Sequence, residues 1–182
     1  MSNSAYTPTF NLSDGSATEQ KLAAGATLKL STEQATTSGT SFDFTGIPAG
    51  TKQIIVSLVG VSTNGSSTPL IQLGDSGGVE TTGYSSIGGG VTASAVAGAI
   101  VYTTGFGLRA GGAANVIRGQ AILVLEDSTD NTWSMMFSLS DASNWLAGAG
   151  AKALSATLDR IRLTTVNGTD TFDAGSINIA YK

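Results

Sequence analysis

Short alternating segments separated by turn residues limit this chain to a fold made of β-strands. From about Ala26 onward apolar and polar residues alternate over a few positions, as in Leu28-Lys29-Leu30 and Phe42-Asp43-Phe44. Such alternation places the apolar side chains on one face of an extended strand and the charged side chain on the other. No segment sustains the 3.6-residue period of an amphipathic helix. The sequence therefore predicts an all-β domain.

Strand candidates and turns follow one another closely. Residues 54–61 predict a central strand buried on both faces, and Asn64-Gly65 predicts a tight hairpin that returns through residues 70–73. The glycine-rich stretch 74–98 predicts loops and irregular edges. Further strands are predicted at residues 99–103, 116–125, 132–139, 153–158, 161–166 and 176–181.

Two polar turns complete this pattern. Residues 126–131 form a polar loop, and Asn167-Gly168 predicts a hairpin whose arms point Ile161, Leu163, Ile177, Ile179 and Tyr181 inward. Many short strands joined by glycine-rich turns favour a β-sandwich of jelly-roll type. We predict this sandwich over residues 26–182, preceded by an extended or flexible N-terminal arm over residues 1–25.

Charge and composition narrow the function. Only 12% of the residues are charged against 41% hydrophobic, and the net charge is -4. A surface with few charges packs readily against copies of itself, because little ionic desolvation opposes contact. No basic cluster suited to nucleic acid is present. Neither a signal peptide nor a membrane-spanning segment is recognised, so we expect a protein made in the cytoplasm without membrane insertion.

The segment Gly74-Asp75-Ser76-Gly77-Gly78 matches the pentapeptide around the nucleophile of chymotrypsin-like proteases. That serine needs an imidazole to accept its proton, and the chain contains no His. A serine-lysine variant would need one of the five lysines buried beside Ser76. We expect a glycine-rich turn and no enzyme activity.

Acidic and aromatic residues offer weaker candidates. Asp127 and Asp130 with Asn131 lie in the 126–131 loop, but their spacing does not fit a calcium-binding loop. Asp170 and Asp173 resemble the paired carboxylates of a glycosidase, but residues three apart on a strand face opposite sides, and an Asp-rich turn is the simpler explanation. We expect no metal and no cofactor.

Exposed aromatic rings can stack on sugars. Trp133 lies within a strand and is expected in the core, whereas Trp145 and Tyr84 are candidate contacts for a glycan or a protein partner.

Four segments carry a resemblance: residues 42–50, 60–65, 70–84 and 158–181. Together they resemble a domain that recurs in tailed-bacteriophage virion proteins, often at the C-terminal end of tail-fibre and related appendage proteins. The resemblance covers roughly residues 26–182. It implies a β-rich virion structural protein without a catalytic residue, and it assigns the Gly74–Gly78 pentapeptide to a segment that recurs without hydrolase function.

The resemblance sets two functional expectations. In the first, the chain is a surface decoration, a head, neck or tail appendage or a short fibre of the virion. It assembles as a homotrimer and attaches to other virion proteins through Tyr6, Phe10 and Leu12 of the arm. In the second, it is a receptor-binding or glycan-binding module of a tail fibre that mediates host attachment. Its contacts would then be Trp145, Tyr84, Asp127, Asp130 and Asn131.

Overall fold

Strands are the regular elements of this computed structural model, which describes residues 27–92, 94–108, 110, 112–113, 115–141 and 144–182. The prediction of an all-β chain is confirmed for these residues. The arm over residues 1–25, with Tyr6, Phe10 and Leu12, lies outside them. No helix in the described part of the chain is long and apolar enough to cross a membrane.

Fourteen strands follow one another in the described part of the chain. They are β1 (Lys29–Leu30), β2 (Gln34–Ala35), β3 (Phe42–Thr45), β4 (Gln53–Thr63), β5 (Pro69–Asp75), β6 (Gly78–Val79), β7 (Ser85–Val91), β8 (Val96–Tyr102), β9 (Phe106–Gly107), β10 (Ile117–Asp127), β11 (Thr132–Asp141), β12 (Asn144–Ala153), β13 (Arg160–Thr165) and β14 (Phe172–Tyr181).

These strands form two antiparallel sheets. The larger sheet has the order β1-β14-β4-β10-β11-β12-β7-β8, with β2 also paired to β14. The smaller sheet has the order β3-β13-β5-β6, and β9 pairs with β5. The chain crosses repeatedly between the sheets, since β3, β5 with β6, β9 and β13 belong to the smaller sheet, and β4, β7, β10 and β14, which follow them, belong to the larger one.

One hydrophobic core joins the two sheets. Alternate residues of the larger sheet enter it, including Leu58, Leu123 and Trp133, and meet Ile71 and Ile161 of the smaller sheet. Full burial of an aliphatic side chain contributes about 1.5–3 kcal/mol, so this shared core is what holds the sheets together. The expected core position of Trp133 is confirmed.

The prediction that residues 54–61 form a central strand is confirmed, but the prediction that both faces are buried is wrong. β4 lies between β14 and β10 and is therefore a central strand. Its burial alternates, however, because Ile54, Val56 and Leu58 face the core while Val59 is exposed. The expected inward face at Leu28 and Leu30 is also wrong, since both side chains are exposed.

Two predicted hairpins do not form, because their arms belong to different sheets. β4 and β5 are not paired, and the backbone N–H of Asn64 donates to the carbonyl of Thr171 instead (2.9 Å). Asn167-Gly168 does form a turn, with the Gly168 N–H bonded to the carbonyl of Thr165 (3.0 Å). That turn carries the chain from β13 in one sheet to β14 in the other.

Two strand assignments were also wrong. The stretch 74–98, expected to be irregular, contains β6, β7 and the start of β8. On the neighbouring β12, close packing requires glycine at Gly148, since a Cβ there would lie 2.4 Å from the carbonyl oxygen of Ile87 on β7 and from the ring of Phe137. Residues 153–158, expected as a strand, follow the end of β12 and form a connection in which Leu154 and Leu158 are buried.

Candidate functional site

An apolar row crosses the outer face of the larger sheet. On β10, Leu123 points to the core and Ile122 points outward. Residues that face each other across antiparallel strands lie on the same side of the sheet. Following this register from Ile122 in both directions gives the members of the apolar row: Leu30, Ala180, Ile55, Ile122, Met136, Ala149, Ile87 and Val101.

Much of this row is accessible to solvent. Met136, at its centre, is 61% exposed, and Leu30, Ile87 and Val101 are also exposed. Ile55 and Ile122 are half-buried, while Ala180 is covered by its larger neighbours. Exposed apolar side chains arranged as one patch indicate an interaction surface more often than scattered ones do.

Charge is nearly absent around the row. The two flanking rows run through Gln53, Val124, Ser134, Ala151 and Ser85 on one side and through Ser57, Gln120, Ser138, Ala147 and Gly89 on the other. A further row contains Val59, Arg118, Ser140, Trp145, Val91 and Val96. Within the named members of these four rows, all of them described, Arg118 is the charged residue, and Lys182, which exchanges backbone hydrogen bonds with Gln53 (3.1 and 3.0 Å), continues the Gln53 row.

The same face carries a shallow depression of ≈ 790 Å³. Val59, Ile122 and Met136 supply apolar walls, and Arg118 and Gln120 supply polar ones. The depression is thus part of the apolar row and its neighbouring rows rather than a separate cavity.

The two aromatic candidates differ in position. Trp145 is 54% exposed on the outer face of β12, where its Nε1–H donates to the Ser138 hydroxyl (2.9 Å). Tyr84 is only 4% exposed, and its ring packs edge-on against Phe106. Its hydroxyl accepts the Leu73 N–H (2.7 Å) and donates to the carbonyl of Glu80 (3.0 Å). Tyr84 therefore lacks the exposed ring that sugar stacking requires, and that expectation is corrected.

The acidic loop 126–131 is a turn in which nearby backbone N–H groups donate hydrogen bonds to the Asp carboxylates. Asp127 accepts the Thr129 N–H (2.7 Å), which holds the pKa of Asp127 below its usual value. Asp130 accepts the Thr132 N–H (3.2 Å), and Asn131 adopts a φ of 55°. Among the described residues no group of three or more His, Cys, Asp or Glu is placed to hold a metal ion.

The Gly74–Gly78 pentapeptide is the turn between β5 and β6. Ser76 is exposed, whereas Asp75 is buried and accepts the Ser155 hydroxyl (2.7 Å) and the Gly77 N–H (2.8 Å). The bond from Ser155, followed by that from Gly77, lowers the pKa of Asp75. Asp75 thus connects this turn to the segment after β12.

Lys152, the buried lysine of this region, is committed to other partners. Its ammonium forms an ion pair with Glu80 and donates to the carbonyl of Ala153 (2.6 Å). It also lies 5.6 Å from the centre of the Tyr84 ring. Burial raises the pKa of Glu80, but the bonds from Lys152 and Ser155 outweigh this effect and the net direction is downward.

Asp170 and Asp173 have separate structural partners. Asp170 accepts the Ser67 N–H (2.8 Å) and the Asn167 side-chain amide, and the bond from Asn167 is the first cause of its lowered pKa. Asp173 accepts the Ser62 hydroxyl. Asp170 follows the Asn167-Gly168 turn, whereas Asp173 lies within β14, so the expected Asp-rich turn is wrong for Asp173.

The outer face of the smaller sheet is polar by contrast. Arg162 on β13 makes a bidentate ion pair with Asp43 on β3 (2.7 and 2.7 Å), and Arg160 pairs with Asp159 (2.6 and 3.0 Å). A depression of ≈ 580 Å³ beside Arg162 is lined mainly by threonines.

The comparisons with known proteins add no relative: no family model, no curated protein and no solved structure matches this chain. Sequence reasoning also missed the apolar row, whose members lie on eight different strands. Most strands show few large outward apolar residues, and the register alone brings them together.

Proposed function

We propose that this chain is a non-enzymatic structural module of a bacteriophage particle that works by assembling with copies of itself. Its place would be a surface decoration, a head, neck or tail appendage or a short fibre. The observation that carries the proposal is the apolar row on an almost uncharged sheet face. Contact through such a face removes apolar surface from water without the cost of desolvating ions.

The strand order supports a jelly-roll sandwich as the finer description of the fold. In a jelly roll of eight strands, one sheet contains the first, eighth, third and sixth strands, and the other contains the second, seventh, fourth and fifth. With β3, β4, β5, β7, β8, β9, β12 and β13 as those strands, both orders are reproduced, and β10 and β11 are inserted between β4 and β12. Jelly rolls occur in viral capsid and lectin domains.

The assignment to a virion rests on the sequence resemblance in residues 42–50, 60–65, 70–84 and 158–181. The homotrimer and the attachment of the arm through Tyr6, Phe10 and Leu12 remain predictions. Three apolar anchors contribute at most about 1.5–3 kcal/mol each, so several arms acting together would be needed for firm attachment.

Particles purified from the phage that encodes the chain provide the decisive test. We expect mass spectrometry to detect the chain as a stoichiometric component, and a map of the intact particle to contain its two sheets. A chain that is abundant in the infected cell but absent from purified particles would refute the proposal.

A deletion of residues 1–20 then tests attachment. The truncated chain should keep its circular-dichroism spectrum and its oligomeric mass while losing incorporation into particles. Normal incorporation would move the attachment site into the sandwich itself.

Trp145 favours one second function, the recognition of a host surface glycan. Its exposed ring lies on a sheet face with hydroxyl groups at Ser138 and Ser140, which suits stacking on a sugar combined with hydrogen bonding. A glycan array separates the two functions. Saturable binding that Trp145→Ala abolishes and Val166→Ala preserves would support recognition, whereas a purely structural module binds no glycan.

A further inference from the structure

We infer that two copies of this chain pack their larger sheets face to face across the apolar row, about a two-fold axis parallel to the strands. This inference rests on the proposed self-assembly and names its surface and its partner. It is a two-fold contact, in which the same patch is used by both copies, and thus an alternative to the predicted homotrimer.

The order of side-chain sizes along the row is what suits it to a second copy. An axis between β10 and β11 places each residue opposite the residue at the mirrored position of the row. Ile122 then meets Met136, and Ile55 meets Ala149. Ile87 likewise lies over Ala180, and Leu30 meets Val101 at the two ends. Large residues thus oppose small ones next to the centre, which is how facing surfaces interdigitate without voids.

The size of the face matches what a stable dimer needs. The seven longer strands from β14 to β8, spaced about 4.8 Å apart, span roughly 29 Å, and the rows from Gln53 to Val59 extend about 20 Å along the strands. The face therefore offers roughly 600 Å² per copy, at the lower end of the about 600–1,000 Å² per partner of a stable interface. Two sheets twisted in the same hand pack in this way at a mean angle of about 30°.

Charge favours a second copy over a charged partner. The face offers no acidic or basic cluster that an ionic macromolecule could complement, and in this arrangement Arg118 lies opposite Ser140 rather than another cation. An axis along the row is less favourable. It would bring Arg118 towards Glu126, but an exposed ion pair contributes little, and Ala149 would face Ala149 and leave a gap.

Light scattering during size-exclusion chromatography tests the surface. We expect the wild-type chain to have twice its 18.3 kDa mass. Met136→Lys places a charge at the centre of the contact and should reduce the mass to that of one chain. Val166→Lys is the matched control, because Val166 is 50% exposed in the turn after β13, away from this face, and should leave the mass unchanged.

Cysteine crosslinking tests the axis against a background free of native thiols, since the chain contains no Cys. A mixture of Ile55→Cys and Ala149→Cys chains should crosslink with a short bismaleimide, whereas either variant alone should not. Within one chain the two positions lie three strands apart, or about 14 Å, which is too far for a direct disulfide.

Three results would overturn the inference: a wild-type monomer at high concentration, an oligomer that Met136→Lys leaves intact, or crosslinking of Ile55→Cys to itself. The second and third would leave self-assembly in place and reject only this contact. Absence from purified particles, by contrast, would refute the virion function while leaving the dimer untouched, so the two failures are distinguishable.

Discussion

The outer faces of the two sheets differ in polarity. Both lie over one shared core, yet the smaller sheet presents the ion pairs Arg162–Asp43 and Arg160–Asp159 to solvent, and the larger sheet presents the apolar row. Ion pairs keep a sheet face hydrated and discourage other sheets from packing on it. The difference indicates that the smaller sheet faces solvent and that the larger one is built to be covered.

The largest effect is expected from a substitution that deforms the larger sheet. Gly175 on β14 has a φ of 87°, and a Cβ there would lie 2.3 Å from the backbone of Gly60. Gly175→Ala should therefore lower the free energy of unfolding by about 3 kcal/mol or more, through strain and displacement of β4. Gly78 is the control in the smaller sheet: its φ is 126° but the space is open, so Gly78→Ala should cost about 1–2 kcal/mol. Urea unfolding measures both, and equal losses would contradict the close approach.

Removing the charge of Lys152, on the inner face of the larger sheet, should lower the free energy of unfolding more than removing the charge of Arg162, on the outer face of the smaller sheet. Lys152 is 6% exposed and holds the partly buried Glu80. Lys152→Met should cost about 2–3 kcal/mol, because it leaves the Glu80 carboxylate without its cation. Arg162→Met removes a half-exposed pair and should cost no more than about 1 kcal/mol. A double-mutant cycle with Asp43→Ala would sharpen this figure, and a coupling larger than that of Lys152 with Glu80 would reverse the contrast.

Added salt should affect the contact inferred for the larger sheet and the ion pair on the smaller sheet differently. The contact inferred for the larger sheet contains no ion pair, so raising salt from about 0.1 M to about 1 M should leave the dimer's dissociation constant unchanged or lower it. The Arg162–Asp43 coupling should shrink over the same range, since it is partly screened. Sedimentation at several protein concentrations follows the first effect. A dimer that dissociates in salt would point to charges in the contact.

Acid should weaken the edge of the smaller sheet through Asp75, with the smallest of these effects. The pKa of Asp75 is lowered in the folded chain, chiefly by the Ser155 hydroxyl and then by the Gly77 N–H. Its stabilisation is therefore complete above the unfolded value of about 4 and is lost as the pH falls through the lower folded pKa. Asp75→Asn should reduce the difference in urea midpoint between about pH 6 and about pH 3. An unchanged difference would show that other carboxylates govern acid unfolding.

The sequence predicted the positions of several strands well, but it did not predict which strands pair with each other. The alternating pattern placed β10, β11, β13 and β14 nearly correctly, because each buries one face. Asn64-Gly65 misled because its chemistry suits a hairpin, whereas here the chain crosses to the other sheet and Asn64 bonds to Thr171. Local turn preferences contain no information on which sheet the next strand joins.

The predictions for the glycine-rich strand and for the candidate site were wrong for related reasons. β7 forms although its Gly88, Gly89 and Gly90 have poor strand propensity, because β12 and β8 pair with it on both sides. The expected irregularity is present in β7 only where its pairing with β8 shifts register between Gly88 and Gly90. Trp145 was correctly placed on the surface, whereas Tyr84 has a buried partner network that no local pattern signals. The apolar row depends on register across eight strands, so a single sequence could not reveal it.

The pairing of β4 with β14 has a consequence for the time this chain needs to fold. The two strands join residues as far apart in sequence as Ile54 and Tyr181, 127 positions from each other. Closing such long loops costs entropy before any contact offsets it, and proteins dominated by distant pairings fold over milliseconds to seconds. Until β14 arrives, β4 has an open edge in the middle of what will become the larger sheet. Assembly of copies must therefore wait for the late strands, and an unfinished chain in a crowded cell is at risk of pairing with the wrong strand of a neighbour.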